Sequence, residues 1–253
     1  MTTPCATCST VDDLIKRVSK ILSDDGGVDD RTWTQGELVG HLNEALCELL
    51  KLRPDVFMER IDLPLRPGSR QQIPEGYAAL VRIDTNQDAD SSGALQEGAV
   101  ISEADSRYAG ALKKKLCLSS DLCAEPRPYV VSSYTRDGIS SQTFTVYPPV
   151  PQGASVVISA QVVARPPRHT TAAMGACLGV PCEYEASVVD WILHRAYAKE
   201  IESQYAGAMV DRHRKAWFEG INAKYLQDSR FNSGFWAGLD QNNPAADPNF
   251  RQH

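Results

Sequence analysis

A chain of 253 residues that is 42% hydrophobic, 23% charged and 8% aromatic has the make-up of a globular protein with one large core or two small ones. It is long enough to fold without disulfides or a structural metal. A formal net charge of -6 and a pI near 5.4 argue against an open DNA-gripping surface, because affinity for phosphate comes from clustered Lys and Arg. No run approaches the roughly 18 apolar residues of a membrane helix. The opening "MTTPCATCSTVDD" lacks the basic-then-apolar order of a signal peptide, so the sequence predicts a protein made and kept in a cytoplasm. Seven cysteines are an odd number for a disulfide framework. Cys5-x-x-Cys8 has zinc-knuckle spacing, but Cys117, Cys123, Cys177 and Cys182 do not form a second tight pair and have no His in ligand register. Unpaired thiols fit this pattern better than zinc.

Ser9 or Thr10 can cap a first helix whose stripe is Val11, Leu14, Ile15, Val18, Ile21 and Leu22, with Asp12 and Asp13 in its positive first turn. The second helix opens on a Thr34-x-x-Glu37 capping box and carries Leu38, Leu42, Ala45, Leu46, Leu49 and Leu50 at helical spacing. Pro54 disfavours helix at Arg53 and ends it. From Val56 the pattern turns to strand. "FMERIDLPLRPGSRQQIP" predicts an extended segment, a turn at Arg66–Ser69 and a returning segment. "YAALVRID", "YVVSSYT", "QTFTVYPPV" and "SVVISAQVVA" are short runs rich in β-branched and aromatic residues, parted by turn chemistry such as Arg136-Asp137-Gly138. Between them "SEADSRYAGALKKKL" reads as a short helix capped by Ser102, with Asp105 at the third position.

Pro181 suits a first helical position, and Val188, Val189, Ile192, Leu193, Ala196, Tyr197 and Ile201 restore the helical period. After "SQYAGA" a further helix follows with Met209, Val210, Trp217, Ile221 and Tyr225 on one face. Two long helices thus precede a β-rich middle and two follow it, and packing their four apolar stripes together would satisfy all of them. The predicted fold class is α+β: a four-helix bundle of two N-terminal and two C-terminal long helices, with an inserted β-rich domain and an extended C-terminal arm. The corresponding ranges are a flexible N-terminus at 1–8, the bundle at 9–54 and 181–227, the insertion at 55–180 and the arm at 228–253. The arm is rich in Gly, Pro, Asn and Asp, yet carries Phe231, Phe235, Trp236 and Phe250, which are costly to leave in water. Isolated aromatic anchors on such a strap predict ordering on a partner, the alternative being an arm folded back on its own bundle.

Chemistry is harder to find. His41, His169, His194, His213 and His253 include no His-Glu-x-x-His, and there is no Gly-x-Ser-x-Gly, phosphate-binding loop or dinucleotide fingerprint. Asp190 and His194 are four residues apart and share a helical face, which admits a catalytic pair but is better read as a structural hydrogen bond. Glu44 and Glu48 read as a solvated face or subunit rim, and Trp191 as packing rather than part of a cofactor site. Lys113–Lys115 form a basic cluster without interleaved aromatics, a poor case for reading DNA. No catalytic, cofactor-binding or metal-binding residue is assigned.

Four segments, "WTQGELVGHLNEALCELLKLRPDVF", "LPLRPGSRQQIPEGYAALVRI", "FTVYPPVPQGASVVISAQVVARP" and "YEASVVDWILHRAYAKEIESQYAGAMVDRHRKAWFEGI", occur in an order that resembles the phage adaptor, or head-to-tail connector, proteins of short-tailed bacteriophages. The resemblance covers about Ser9 to Leu226. It implies a structural virion protein assembled in the host cytoplasm as a homo-oligomeric ring, a dodecamer, between the portal protein and the tail nozzle or tube. Double-stranded DNA would pass through it during genome ejection without sequence-specific binding. In that setting Phe231, Phe235, Trp236 and Phe250 become candidate portal-binding anchors. The sequence departs from shorter members at "CLSSDLCAEP", at "MGACLGVPC" and in the long arm. Other readings are a tail-completion or plug protein, a packaging factor binding DNA through Lys113–Lys115 with Arg212, Arg214 and Lys215, and a tail-associated hydrolase using Asp190 and His194.

Overall fold

The computed structural model describes residues 9–23, 32–89, 93–104, 130–136, 142–199 and 204–231. The chain divides into two compact units: a helical unit, made of the residues up to Val56 together with those from Pro166 onward, and a β unit, Phe57–Arg165.

In the helical unit, α1 (Val11–Ile21) begins with a reciprocal cap. The Thr10 hydroxyl accepts from the Asp13 amide while the Asp13 carboxylate accepts from the Thr10 amide, both at 3.2 Å. Two further first-turn amides, of Val11 and Asp12, donate to the carbonyls of Ala176 and Met174 at 3.0 and 2.9 Å. Helix α2 (Gln35–Leu52) has the same kind of cap at Thr34 and Glu37. It buries Leu38, Val39, Leu42, Ala45, Leu46, Leu49 and Leu52, and stops at Arg53 as the proline requires. A 3-10 turn, Pro54–Phe57, follows. The segment from Pro166 to Pro181 is pinned by the side-chain amide of Asn43, which accepts from the His169 N–H at 2.8 Å and donates to the His169 carbonyl at 3.0 Å. Pro181 precedes a further 3-10 turn, Cys182–Tyr184, rather than standing first in the helix. Helices α3 (Glu185–Tyr197) and α4 (Gln204–Phe231) complete the unit.

The expected four-helix bundle with long N-terminal helices does not form. α3 is instead the common partner, with α4, α2 and α1 each packed on it. The lengths are also too unequal for a set of staves: α1 has 11 residues and α4 has 28, or about 16 Å against about 42 Å. Each amphipathic stripe states that one face is buried, not that four faces meet, and α1 satisfies much of its first turn on the 174–177 segment instead. α3 and α4 cross closely. A β-carbon built on Gly220 would lie 2.5 Å from the Ser187 hydroxyl, so glycine is what permits the approach.

Most of the described strand structure lies in the β unit, as two four-stranded sheets ordered β1-β8-β3-β4 and β2-β7-β6-β5. The strands are β1 (Met58–Pro64), β2 (Gly68–Gln72), β3 (Tyr77–Ala89), β4 (Leu95–Val100), β5 (Ser102–Glu103), β6 (Ser133–Arg136), β7 (Thr143–Val150) and β8 (Val157–Ala164). Alternation sends Ile158, Ala160 and Val162 of β8 into one core with Leu63, Leu80, Ile83, Tyr134, Phe144 and Val146. The segment and its return around Arg66–Ser69 are not paired with each other. β1 pairs with β8 and β2 with β7, so the chain changes sheet at this turn. The Gln71 amide holds the corner, accepting from Arg66 N at 2.9 Å and donating to the Arg66 and Gly68 carbonyls. Ser102 and Glu103 lie in a strand rather than opening a helix, and residues 105–116 of that expected helix lie outside the described residues. Buried Asn86 ties β3 to its neighbours: its amide donates to the Ala99 and Val131 carbonyls at 3.0 and 2.8 Å and accepts from Val131 N at 2.9 Å.

Candidate functional site

The polar groups singled out in the sequence fall mostly on the α3–α4 hairpin, but in different pairs from those expected. Asp190 does not bond His194. Its carboxylate pairs at 2.8 Å with Nδ1 of His213 on α4, and the Tyr197 ring stacks over that imidazole at 5.8 Å. His194 donates from Nδ1 to the Val210 carbonyl at 3.1 Å, and burial holds its pKa below the ordinary value. Trp191 tilts against His194 and Trp217 at 5.4 and 5.1 Å. The cluster therefore bonds one helix to the next, through a helix-to-helix side-chain hydrogen bond, a side-chain-to-carbonyl bond and an aromatic stack.

The acids of α2 behave similarly. Glu37 accepts from Lys199 Nζ at 2.8 Å and from the Thr34 amide and hydroxyl at 2.8 and 3.0 Å. Lys199 first, then the Thr34 groups, lower its pKa to about 2. Glu44 accepts from Arg195 Nε at 2.9 Å, and Glu48 pairs with Lys51. The buried indole of Trp33 donates to the Ala196 carbonyl at 3.0 Å. Apart from Glu48–Lys51 and the Thr34 cap, which are local to α2, these contacts tie α2 and the residue before its cap to α3 and the residues just after it.

One constellation went unread in the sequence. Arg53, 1% exposed, is gripped by two carboxylates: Asp55 takes Nε and Nη2 at 2.9 and 2.7 Å, and Asp228 of α4 takes Nη2 at 2.6 Å. The Tyr184 and Tyr225 rings flank the guanidinium with centroids at 5.6 and 5.7 Å. Lys224 Nζ also donates to Asp228, at 2.8 Å. Burial opposes the charge on Arg53, but the two carboxylates outweigh it and raise its pKa. Lys224 and Arg53 likewise overcome burial to lower that of Asp228. The sequence clue to it is the spacing Arg53-Pro54-Asp55, which by itself marks only a helix stop.

Of the candidate anchors, Phe231 is the last residue of α4, while Phe235, Trp236 and Phe250 lie outside the described residues, as do Lys113–Lys115, Cys5, Cys8, Cys117 and Cys123. Among the described residues Cys47, Cys177 and Cys182 form no disulfide. Among the described residues no group of His, Cys, Asp and Glu is placed to hold a metal ion, and no helix is long and apolar enough to cross a membrane. Arg212, Arg214 and Lys215 are exposed on α4. Apolar groups at the surface include Ile21 on α1, Tyr205 and Leu226 on α4, and Leu95 and Val100 on β4.

No curated protein matches the chain. The sequence pattern described as SU10 adaptor protein matches residues 9–237, from the cap of α1 through both units to beyond the end of α4. The chain belongs to the SU10 adaptor protein family and is a phage adaptor, a structural protein.

Proposed function

We propose that this chain is one subunit of a twelve-copy ring that joins the portal of a tailed phage to its tail and lines the DNA passage. The observation that carries the reading is the family match over residues 9–237. The helical unit suits the role: Asp190 with His213, Glu44 with Arg195 and Arg53 with Asp228 each bond one element to another, which favours a stiff body able to hold a fixed angle to a neighbour. Ring closure needs heterologous contacts, one patch meeting a different patch on the next copy. A net charge of -6 repeated around such a ring would repel DNA phosphates if the acids face the lumen, easing passage during ejection.

Phe231, Phe235, Trp236 and Phe250 are the proposed anchors on the portal. A Gly-, Pro- and Asn-rich strap that orders on binding gives up conformational entropy but ties two separate rings together. The test is to mix the purified protein with portal and image the product by electron microscopy, beside a variant lacking residues 232–253. Asp228 stays in that variant because it bonds Arg53. The full chain should form closed rings on the portal and the truncated one should stay folded but undocked. A full chain that never forms rings would overturn the ring, and a truncated chain that docks normally would overturn Phe235, Trp236 and Phe250 as anchors.

A further inference from the structure

We propose that the Arg53–Asp228 bond is a latch on the last turn of α4: it fixes the direction in which the chain leaves the helical unit, and it opens without unfolding that unit. Three observations lead to it. First, among the described side chains of α4 the last buried apolar one is Tyr225. From Leu226 to Ser229 no apolar side chain is buried, and Leu226 is 51% exposed. Ser229 turns its hydroxyl back to the Leu226 carbonyl at 2.9 Å, a local bond that holds nothing to the rest of the unit. Among the described side chains of 226–229, Asp228, reaching Arg53, is the one that ties this turn to another element.

Second, opening strands no buried charge. Breaking an ordinary buried ion pair leaves one partner desolvated and alone, which is why such pairs seldom open. Here each partner has another. Arg53 keeps the two-pronged hold of Asp55 and its place between Tyr184 and Tyr225. Asp228 keeps Lys224, one helical turn before it, and already stands 24% exposed. Third, the two carboxylates are unequal. Asp55 is 13% exposed and two residues from Arg53 in the chain, whereas Asp228 sits in the last turn of a helix, where local opening is easiest. The guanidinium is thus fixed on one side and releasable on the other.

The latch stands on the geometry of the isolated chain. Only its use, aiming the chain that carries Phe235, Trp236 and Phe250, rests on the portal-docking reading. Its test therefore omits the portal. Hydrogen exchange of the full-length protein would be compared for wild type, Asp228→Asn and Asp55→Asn, with thermal unfolding followed in parallel by tryptophan fluorescence. In Asp228→Asn the amides of 226–231 should exchange about tenfold faster, with α2 and α3 unchanged and the midpoint within about 2 °C of wild type. Asp55→Asn should lower the midpoint well beyond that. Unchanged exchange at 226–231 in Asp228→Asn would overturn the latch. So would a loss of midpoint equal to that of Asp55→Asn, because Asp228 would then be part of the fixed core.

Discussion

Replacing Ile192 with alanine tests whether α3 is the helix on which the other three depend. Ile192 is fully buried, between Val188, Val189 and Ala196 on the buried face of α3. The change removes three carbon atoms, at about 0.8 kcal/mol each in transfer free energy. A residual cavity adds about 1 kcal/mol, because a site enclosed by several packed elements collapses poorly. The expected loss is about 3–4 kcal/mol. Trp33, Trp191, Trp217 and Trp236 all lie in the sequence of the helical unit, and the β unit has no tryptophan. Urea unfolding followed by tryptophan fluorescence therefore reads this unit. Arg195→Ala, on the exposed side of the same helix, loses only a surface ion pair to Glu44 and should stay within about 1 kcal/mol of wild type. An Ile192→Ala protein as stable as Arg195→Ala would refute the central place given to α3.

Two further outcomes follow from named contacts. Glu37 has its pKa lowered in the folded state, to about 2 from an ordinary 4.5, so its contribution is present above pH 4.5 and lost as pH falls toward 2. Glu37→Gln should therefore cost about 1 kcal/mol at neutral pH, a modest figure because the carboxylate is well exposed, and the gap to wild type should close in acid; a gap independent of pH in urea titrations would contradict this. Gly220→Ala sets a β-carbon against the Ser187 hydroxyl, and the strain offsets the roughly 1 kcal/mol that alanine otherwise brings to a helix. The double variant Ser187→Ala/Gly220→Ala should be more stable than Gly220→Ala by at least about 1 kcal/mol in the same titration, whereas additive effects would show that the crossing is looser than described.

Local features were legible wherever a residue's role depends on its near neighbours. The Thr34–Glu37 cap, a cap at Ser9 or Thr10 (it is Thr10) and the stop at Arg53-Pro54 lie within three or four residues and are legible from spacing alone. Four strands were readable from β-branched and aromatic runs. β4 was not, because "LQEGAV" is mostly exposed and carries little alternation. What spacing cannot convey is which faces meet. Asp190 and His194 share a helical face, yet the better partner, His213, comes from the next helix. The same gap produced the four-helix bundle and the Arg66–Ser69 hairpin, since amphipathic periods mark buried faces without naming their neighbours. Arg53 was opaque for a related reason: Asp55 is two residues away, but Asp228, Tyr184 and Tyr225 come from the far end of the chain.

The pairing of β1 with β8, Met58 opposite Val163, has a consequence for how the protein reaches its native state. Bringing α2 to α3 across an unstructured Phe57–Arg165 would carry a closure penalty of about 4 kcal/mol. Once the sandwich has condensed, its first and last strands run side by side, and the two ends of the excursion are held at neighbouring positions. The intervening hundred-odd residues then act like a tight turn. On this view the β unit folds first and the helices assemble afterwards, and a short engineered loop joining Val56 to Pro166 could stand in for the whole excursion.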